Sequence, residues 1–404
     1  MTGDGAVRLL RANPAFRALT ISRLVSFVGD SVSLVALMLY VASTTGQALA
    51  VSVLLLVGDF APALLSPLTG AVADRFDRRR VMIICELAQG VLLVLVALTL
   101  PPLPILLALV AVRSTLGQTF APASRAAVPA LVSDQDLPAA NSTIGLSTNG
   151  AEAIGPFIAA ALVPFIGVQG VLLVDAASFL ASALLLTRLG PLPPGPASRR
   201  LLRSARAGLG YVFSVPVIRT IAVSFCLVVA FNGIDDVAVV VLVRDTLGAP
   251  DFTIGLILGG VGAGLLAGYL LLSRYRRSMT ALLILGFLVS SVGNLLTGLI
   301  WAVGAAFVVQ TVRGIGLAAM DVASNTLLQR LVPAAQLGRV FGNFYGLIGI
   351  AAAVSYVAGG ILLDATDARV TFVVAGIGGT LTAVFAWMKL SRRRATGDAT
   401  SEIG

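Results

Sequence analysis

Eight carboxylic acids interrupt stretches of this 404-residue chain that are otherwise apolar. They are Asp30, Asp59, Glu86, Glu152, Asp175, Asp235, Asp236 and Asp321. A charged side chain at the centre of a lipid bilayer costs about 2.5 to 3.5 kcal/mol on insertion scales. We therefore expect each acid to face a protein interior, a cavity or a partner of opposite charge. Carboxyl groups in such places can bind and release protons.

Four ionisable residues are expected at one depth in the first half of the chain. With a rise of about 1.5 Å per residue, Asp30, Asp59, Arg113 and Glu152 all lie roughly 14 to 18 Å from the inner boundary. The chain has no histidine, so a carboxylate must carry any transported proton. The sequence predicts Asp30 as the principal proton carrier and Arg113 as the partner that tunes it. Glu152 and Asp59 are the alternatives.

The second half places only Arg313 at that depth by the same count. The other polar residues predicted to line a cavity are Gln118, Asp235, Asp236, Asp321 and Asn325. Glu86 and Asp175 are interpreted as members of structural ion pairs, since the family resemblance given below implies that their spans lie at the periphery.

The composition requires a lipid environment for the elements that carry these residues. The chain is 57% hydrophobic and only 12% charged, and its mean hydropathy is +0.98. A membrane-spanning helix needs about 20 mainly apolar residues. Twelve such stretches can be read along the sequence, at 17–40, 49–72, 81–100, 104–125, 141–163, 169–189, 217–243, 253–273, 280–299, 302–327, 339–362 and 370–390. The fold class is therefore all-α, integral to the membrane.

The arginines divide the connecting loops into two sets. Alternate loops hold most of the arginines, and only Arg244 and Arg369 depart from this pattern. Because cytoplasmic loops carry the excess of positive charge, both termini are predicted to be cytosolic. A segment rich in proline, glycine and arginine separates the spans six and six. We expect an N-terminal half at 1–189, a cytosolic linker at 190–215 and a C-terminal half at 216–404. The stretches "VRSTLG" and "VRGIGL" place Arg113 and Arg313 200 positions apart, which indicates an internal duplication.

The charged loop between spans two and three carries a recognisable motif. Gly70, Asp74, Arg75 and Arg78 resemble the loop signature of the major facilitator superfamily, although Asp77 stands where that signature has a second glycine. The resemblance covers nearly the whole chain and implies two pseudo-symmetric six-helix halves around a central cavity. We expect Gly70 to allow a close helix approach. Asp74 should meet the N-terminus of the eleventh span near Arg339, while Arg75 and Arg78 pair across the same seam as a cytosolic gate.

A second motif narrows the class. Gly150, Gly155 and Pro156 in the fifth span resemble the motif of the family's drug–proton antiporters. It implies a kinked face of small residues that packs against the eighth span, where Gly260, Gly264 and Gly268 recur at four-residue spacing.

These resemblances imply a proton-driven exporter of amphipathic compounds, similar to the macrolide-efflux and enterobactin-export branch of the superfamily. A transporter of metabolites or lipid-like molecules and a transport-inactive membrane sensor remain alternatives. We expect no enzymatic activity, cofactor, metal or nucleic-acid partner. The expected partners are a small-molecule substrate, protons and the lipid bilayer. The protein is expected to be a monomer in a bacterial inner membrane.

Overall fold

Every regular element that the structure describes is a helix. The structure is a computed structural model, and it describes residues 4–192, 201–250 and 252–395. A chain in hydrocarbon must satisfy its backbone hydrogen bonds internally, and a continuous helix does so. The α-helices are α1 (Asp4–Ala12), α2 (Pro14–Thr45), α3 (Ala48–Arg75), α4 (Arg78–Thr99), α5 (Leu103–Leu131), α6 (Leu137–Leu186), α7 (Leu201–Ser214), α8 (Pro216–Asn232), α9 (Asp235–Val241), α10 (Phe252–Leu272), α11 (Met279–Leu299), α12 (Val303–Leu331), α13 (Leu337–Ala365) and α14 (Ala368–Ala395).

The twelve predicted spans are all found in helical segments. Ten helical stretches of the described chain are long and apolar enough to cross a membrane. The longest, Asp134–Leu186, holds two predicted spans, because Gly167 leaves the helical conformation at φ 65° and ψ 179°. This conformation is essentially restricted to glycine, so one residue makes the turn between spans five and six. Helix α3 covers the predicted second span.

The seventh span is less regular than its sequence predicts. The stretch 217–243 was expected to be one helix, but α8 ends at Asn232 and α9 begins at Asp235. A π-helical turn, Leu242–Thr246, then follows α9.

The predicted duplication is visible in the helix boundaries. Helix α5 begins at Leu103 and α12 at Val303, and both are followed by a short 3₁₀ turn, at Asp134–Asp136 and Ala334–Gln336. Helices α6 and α13 then begin at Leu137 and Leu337. Each of these starts is offset by 200 residues, the same offset that relates Arg113 to Arg313.

The chain forms two compact units. Unit 1 comprises Met1–Asp136, Ser147–Gly210 and Val332–Gly346, and unit 2 comprises Leu137–Leu146, Tyr211–Leu331 and Leu347–Gly404. Each unit is drawn mainly from one half of the sequence. Each also contains a short segment from the other half, namely the first turns of α6 in unit 2 and the first turns of α13 in unit 1.

Apolar side chains fill the core of each unit. In unit 1, Leu37, Leu54, Leu93, Leu106 and Phe179 are buried together and bring α2, α3, α4, α5 and α6 into contact. In unit 2, buried residues of α9, α10, α12, α13 and α14 form a similar cluster. The packing of these helices fixes the positions of the few polar residues that occur along them.

Candidate functional site

The most prominent polar contact inside unit 1 joins α2 to α5. Arg113 donates from Nη1 to Oδ1 of Asp30 and forms an ion pair with it. The arginine side chain is 12% exposed and the aspartate side chain 32% exposed. The Asp30 carboxylate is therefore accessible from outside the packed core while it is paired with Arg113. The structure thus brings together the two residues that the sequence predicts to act together, although their role in proton coupling stays a prediction.

A second carboxyl group lies beside this pair. Asp175, on the second part of α6, is buried and accepts hydrogen bonds from the hydroxyls of Ser33 and Ser178, the latter at 3.0 Å. Both Asp30 and Arg113 are close enough to Asp175 to interact with it electrostatically. The sequence interpretation of Asp175 as half of a structural ion pair was therefore wrong, because hydroxyl groups and not a guanidinium bind its oxygens.

Glu86 on α4 is similarly buried. Its Oε1 accepts a hydrogen bond of 3.4 Å from Ser26 Oγ, and its Oε2 has no hydrogen-bond donor within the described residues. Its electrostatic neighbours include Asp30 and Arg23. The expected structural ion pair was wrong here too, since no cationic nitrogen in the described chain lies within 4.0 Å of this carboxyl.

Arg23 on α2 was not identified from the sequence. It is 1% exposed and donates to the hydroxyls of Ser124 and Thr148, the latter at 3.3 Å. Its guanidinium also lies 5.1 Å from the ring centroid of Phe27. A screen of all charged residues in the apolar stretches, rather than of acids alone, would have found it.

The remaining first-half candidates are Glu152, Gln118 and Asp59. Glu152 lies on α6 with an exposed side chain, and Gln118 is half-buried on α5. The side chain of Asp59, and that of Asp236 in the second half, lie outside the described residues. The roles of these four residues stay predictions.

Arg313 does not stand alone in unit 2, as its depth suggested. Its guanidinium forms an ion pair with Asp235, and both side chains are less than 10% exposed. Its Nη1 also donates to Gln310 Oε1 at 3.2 Å. The depth count assumed an unbroken seventh helix and did not place Asp235 beside Arg313, whereas the structure breaks that helix before α9.

This pair is expected to stabilise unit 2. Asp235→Asn would leave a buried guanidinium without its charge partner, which costs about 3 to 5 kcal/mol. We expect a markedly lower midpoint in a thermal unfolding assay of the purified protein. Asp364→Asn removes an exposed carboxylate and serves as the control, which should unfold like the wild type. Equal midpoints for both variants would show that the pair contributes little to stability.

Asp321 and Asn325 belong to a separate polar group in unit 2. Asn325 donates from Nδ2 to Asp321 Oδ1 at 2.8 Å, and Tyr269 on α10 donates to Oδ2 at 3.1 Å. The aspartate thus connects α12 to α10.

Helices α3 and α13 cross at a very short distance inside unit 1. A Cβ atom added to Gly70 would lie 2.5 Å from the carbonyl oxygen of Gly338 and 2.9 Å from Cα of Gly342. The Ser66 hydroxyl donates to the Gly342 carbonyl at 2.6 Å. Small residues at four-residue spacing on both helices therefore allow their backbones to touch, as expected for Gly70.

Asp74 caps the first turn of α13. Its carboxylate accepts from the backbone N–H groups of Gly338 at 2.8 Å and Arg339 at 2.9 Å, and from Arg339 Nε at 3.1 Å. The first N–H groups of a helix have no partner within the helix, and the helix dipole is positive at that end. A buried carboxylate satisfies both requirements.

Arg78 and Arg75 take different positions. Arg78 is buried, lies 3.6 Å from Asp74 and donates to the carbonyls of Ala126 and Ala334. Arg75 does not pair across this seam as predicted. It is exposed, and its guanidinium lies over the Phe76 ring at 5.5 Å. Adjacent residues point about 100° apart on a helix, so Arg75 cannot share the face of Asp74.

Asp77, which replaces the usual loop glycine, has its own structural role. Its side chain caps α4 by accepting from Arg80 N at 3.0 Å, and it accepts from Leu192 N at 2.9 Å. The loop is thereby connected to the start of the predicted linker 190–215. Residues 193–200 of that linker lie outside the described chain, and 201–214 form α7.

The fifth-span motif packs against the first span. Gly155 is buried against Ser31 of α2, whose Cα would lie 3.2 Å from an added Cβ, while Pro156 is exposed. The eighth-span glycines have a partner other than the predicted one. Gly260 lies against Phe307, and Gly264 and Gly268 lie against Thr311 and Ala318, all on α12. Gly150 is buried on α6.

Comparisons with known proteins agree with this architecture. The family model described as Major Facilitator Superfamily matches residues 19–309 and 237–403. The chain is 26% identical over 392 residues to the uncharacterized MFS-type transporter YfiS of Bacillus subtilis, covering 91% of each protein. It is 28% identical over 348 residues to the enterobactin exporter EntS of Citrobacter koseri, covering 83% of this chain and 82% of EntS. Among solved structures, a bacterial homologue of the iron transporter ferroportin in an outward-facing state aligns with a TM-score of 0.77 at 21% identity, covering 94% of this chain and 100% of that protein.

Proposed function

Since the chain belongs to the Major Facilitator Superfamily, we propose that it exports amphipathic small molecules in exchange for protons by alternating access. The observation that carries this proposal is the Asp30–Arg113 ion pair, which connects α2 to α5 inside unit 1. A partly exposed carboxylate beside a guanidinium can exchange a proton, because the neutral acid releases the arginine and the ionised acid binds it again. The resemblance to the enterobactin exporter EntS supports export and a siderophore-like substrate.

The permanent charge of arginine makes Asp30 the member that changes state. Arginine remains protonated in proteins, so proton exchange at this pair falls to the carboxylate. A change in the distance between the two groups changes the stability of the ionised form, because an opposite charge nearby favours it. Rocking of the helices that carry them would couple proton affinity to the direction in which the substrate site opens.

The test is transport by the purified protein in proteoliposomes. A fluorescent amphipathic dye and enterobactin, supplied separately, should accumulate against their gradients when an imposed pH gradient drives protons the other way. Collapsing the gradient with an ionophore should stop accumulation. Uphill transport that persists without a proton gradient would contradict antiport. Transport of neither compound, by a protein that is folded, would exclude these two substrates.

We propose that both termini and the 190–215 linker are cytosolic and that the protein lies in a bacterial plasma membrane as a monomer. The loop arginines support this orientation. In a background without Cys85 and Cys226, a cysteine placed at Ser198 should react with an impermeant maleimide only after cells are opened. Ser43 is exposed near the C-terminal end of α2, beside a loop predicted to face the outside. A cysteine at this position should react in intact cells. The reverse pattern would overturn the orientation.

A further inference from the structure

Asp175 lies unusually close to the helix that carries Asp30. A Cβ atom added to Gly29 would collide with Asp175 Oδ1 and would lie 3.0 Å from its Cγ. Ser33, one helical turn beyond Gly29 on α2, donates to the other oxygen. The carboxyl of Asp175 is therefore held against the backbone of α2 at the residue that precedes Asp30.

One guanidinium serves two carboxyl groups at this position. Arg113 forms its ion pair with Asp30 and also interacts electrostatically with Asp175. The charged groups within electrostatic reach of Asp175 are Asp30 from α2 and Arg113 from α5. On α4, Glu86 lies within electrostatic reach of Asp30 and Arg23. Two ionised aspartates beside one arginine would leave an uncompensated negative charge in a dry interior, which is strongly unfavourable.

The hydrogen-bond partners of Asp175 suit a neutral acid. A guanidinium can only donate, whereas a serine hydroxyl can donate to a carboxylate or accept from a carboxylic acid. The Ser33 and Ser178 hydroxyls can therefore bind Asp175 in either protonation state. Asp30 cannot be bound in both protonation states in this way, because the guanidinium of Arg113 cannot accept a hydrogen bond from a carboxylic acid.

The other side of Asp175 is aliphatic. A groove of about 380 Å³ between α2 and α6 has Gly29, Asp175 and Ser178 in its wall, and its other lining residues are aliphatic. Aliphatic side chains therefore border this side of the Asp175 carboxyl, where water would otherwise stabilise its ionised form.

We propose that Asp175 is a second proton-binding residue of the transport cycle, which holds the proton while Asp30 is paired with Arg113. When the proton passes to Asp30, the guanidinium leaves that residue and pairs with the ionised Asp175. During this transfer one proton and one arginine are shared by two carboxyl groups, and the net charge of the group is constant. Asp30, the partly exposed member, then releases its proton to water as Asp175 takes up another, so that one proton is moved in each cycle. This inference rests on the proposed proton antiport.

The first measurement does not depend on transport. Infrared spectroscopy of the full-length protein in lipid at neutral pH should show the C=O stretch of a protonated carboxyl that disappears in Asp175→Asn. The same band should weaken in Asp30→Asn, because Arg113 no longer pairs with residue 30 and can pair with the ionised Asp175. Glu86→Gln is the matched control, because it removes another buried acid that accepts a hydrogen bond from a serine hydroxyl, and it should leave the Asp175 band in place. Ser33→Ala should shift the Asp175 band through loss of a hydrogen bond, which provides a second variant should Asp175→Asn fold poorly. A band unchanged in both Asp175→Asn and Ser33→Ala would overturn the proposal.

The second measurement is transport in proteoliposomes. Asp175→Asn should lose accumulation driven by a pH gradient but retain exchange of substrate across the membrane, and Asp175→Glu should restore part of the driven transport. Unchanged proton dependence in Asp175→Asn would overturn the role of Asp175 alone. A wild-type protein whose transport ignores the proton gradient would instead overturn the proposed antiport, and with it this role for Asp175.

Discussion

Asp30→Asn is expected to abolish transport driven by a pH gradient while substrate exchange continues. The amide cannot ionise, so the position is fixed in a form that resembles the protonated acid. Arg113 then loses its ion pair with residue 30 in every conformation, and proton movement no longer changes this contact between α2 and α5. The measurement is uphill accumulation in proteoliposomes, compared with exchange at equal substrate concentrations on both sides.

The neighbouring variants separate this role from its alternatives. Arg113→Ala should lower the transport rate and also displace its pH dependence, because the carboxylate loses the cation that stabilises its ionised form. Glu152→Gln and Asp59→Asn, the other acids predicted at the same depth, are measured in parallel. Should Asp30→Asn pump with unchanged proton dependence while Glu152→Gln does not, Glu152 is the carrier. If none of the three amides alters coupling, protons do not cross through this layer.

Asp74→Asn is expected to produce a protein that inserts normally but transports poorly. The native carboxylate accepts three hydrogen bonds from the first turn of α13 and lies beside two arginines. Hydrogen bonds to charged groups contribute about 1.5 to 3 kcal/mol, which corresponds to a roughly 10- to 150-fold change in a conformational equilibrium. If this contact forms in only one state of the cycle, its loss shifts the populations and slows turnover.

A matched substitution controls for the loss of a helix cap. Asp367 caps α14 by accepting from Val370 N at 2.8 Å, but it is exposed and distant in sequence from the α3–α13 crossing. Asp367→Asn should therefore leave transport near the wild-type rate. Normal turnover by well-inserted Asp74→Asn, or an equal loss in both variants, would contradict a gating role for this residue.

Hydropathy and helix geometry allowed much of this fold and part of the site to be predicted. The twelve spans follow from the length of the apolar stretches, and the Asp30–Arg113 pair follows from counting residues along straight helices. The cap at Asp74 could be anticipated because a carboxylate before a helix N-terminus has a defined electrostatic preference.

The errors arose where sequence distance does not determine spatial position. Asp235 pairs with Arg313, whereas a straight-helix count placed only Arg313 at that depth. Asp175 was interpreted from the expected peripheral position of its span, but the absence of a side chain at Gly29 brings it against α2. Arg75 was grouped with Asp74 because the two are adjacent in sequence. Adjacent residues of a helix are about 100° apart around its axis, so Arg75 lies on another face.

The segment Val332–Gly346 has a consequence for the order in which the protein can be completed during synthesis. It belongs to unit 1, whose other parts end at Gly210, so the ribosome must make 136 further residues before the last piece of that unit exists. At about 5 to 20 residues per second, this takes roughly 7 to 27 s. During that interval, Asp74 has been synthesised but the helix end that it caps has not. Unit 1 therefore remains incomplete until much of the second half of the chain has been synthesised.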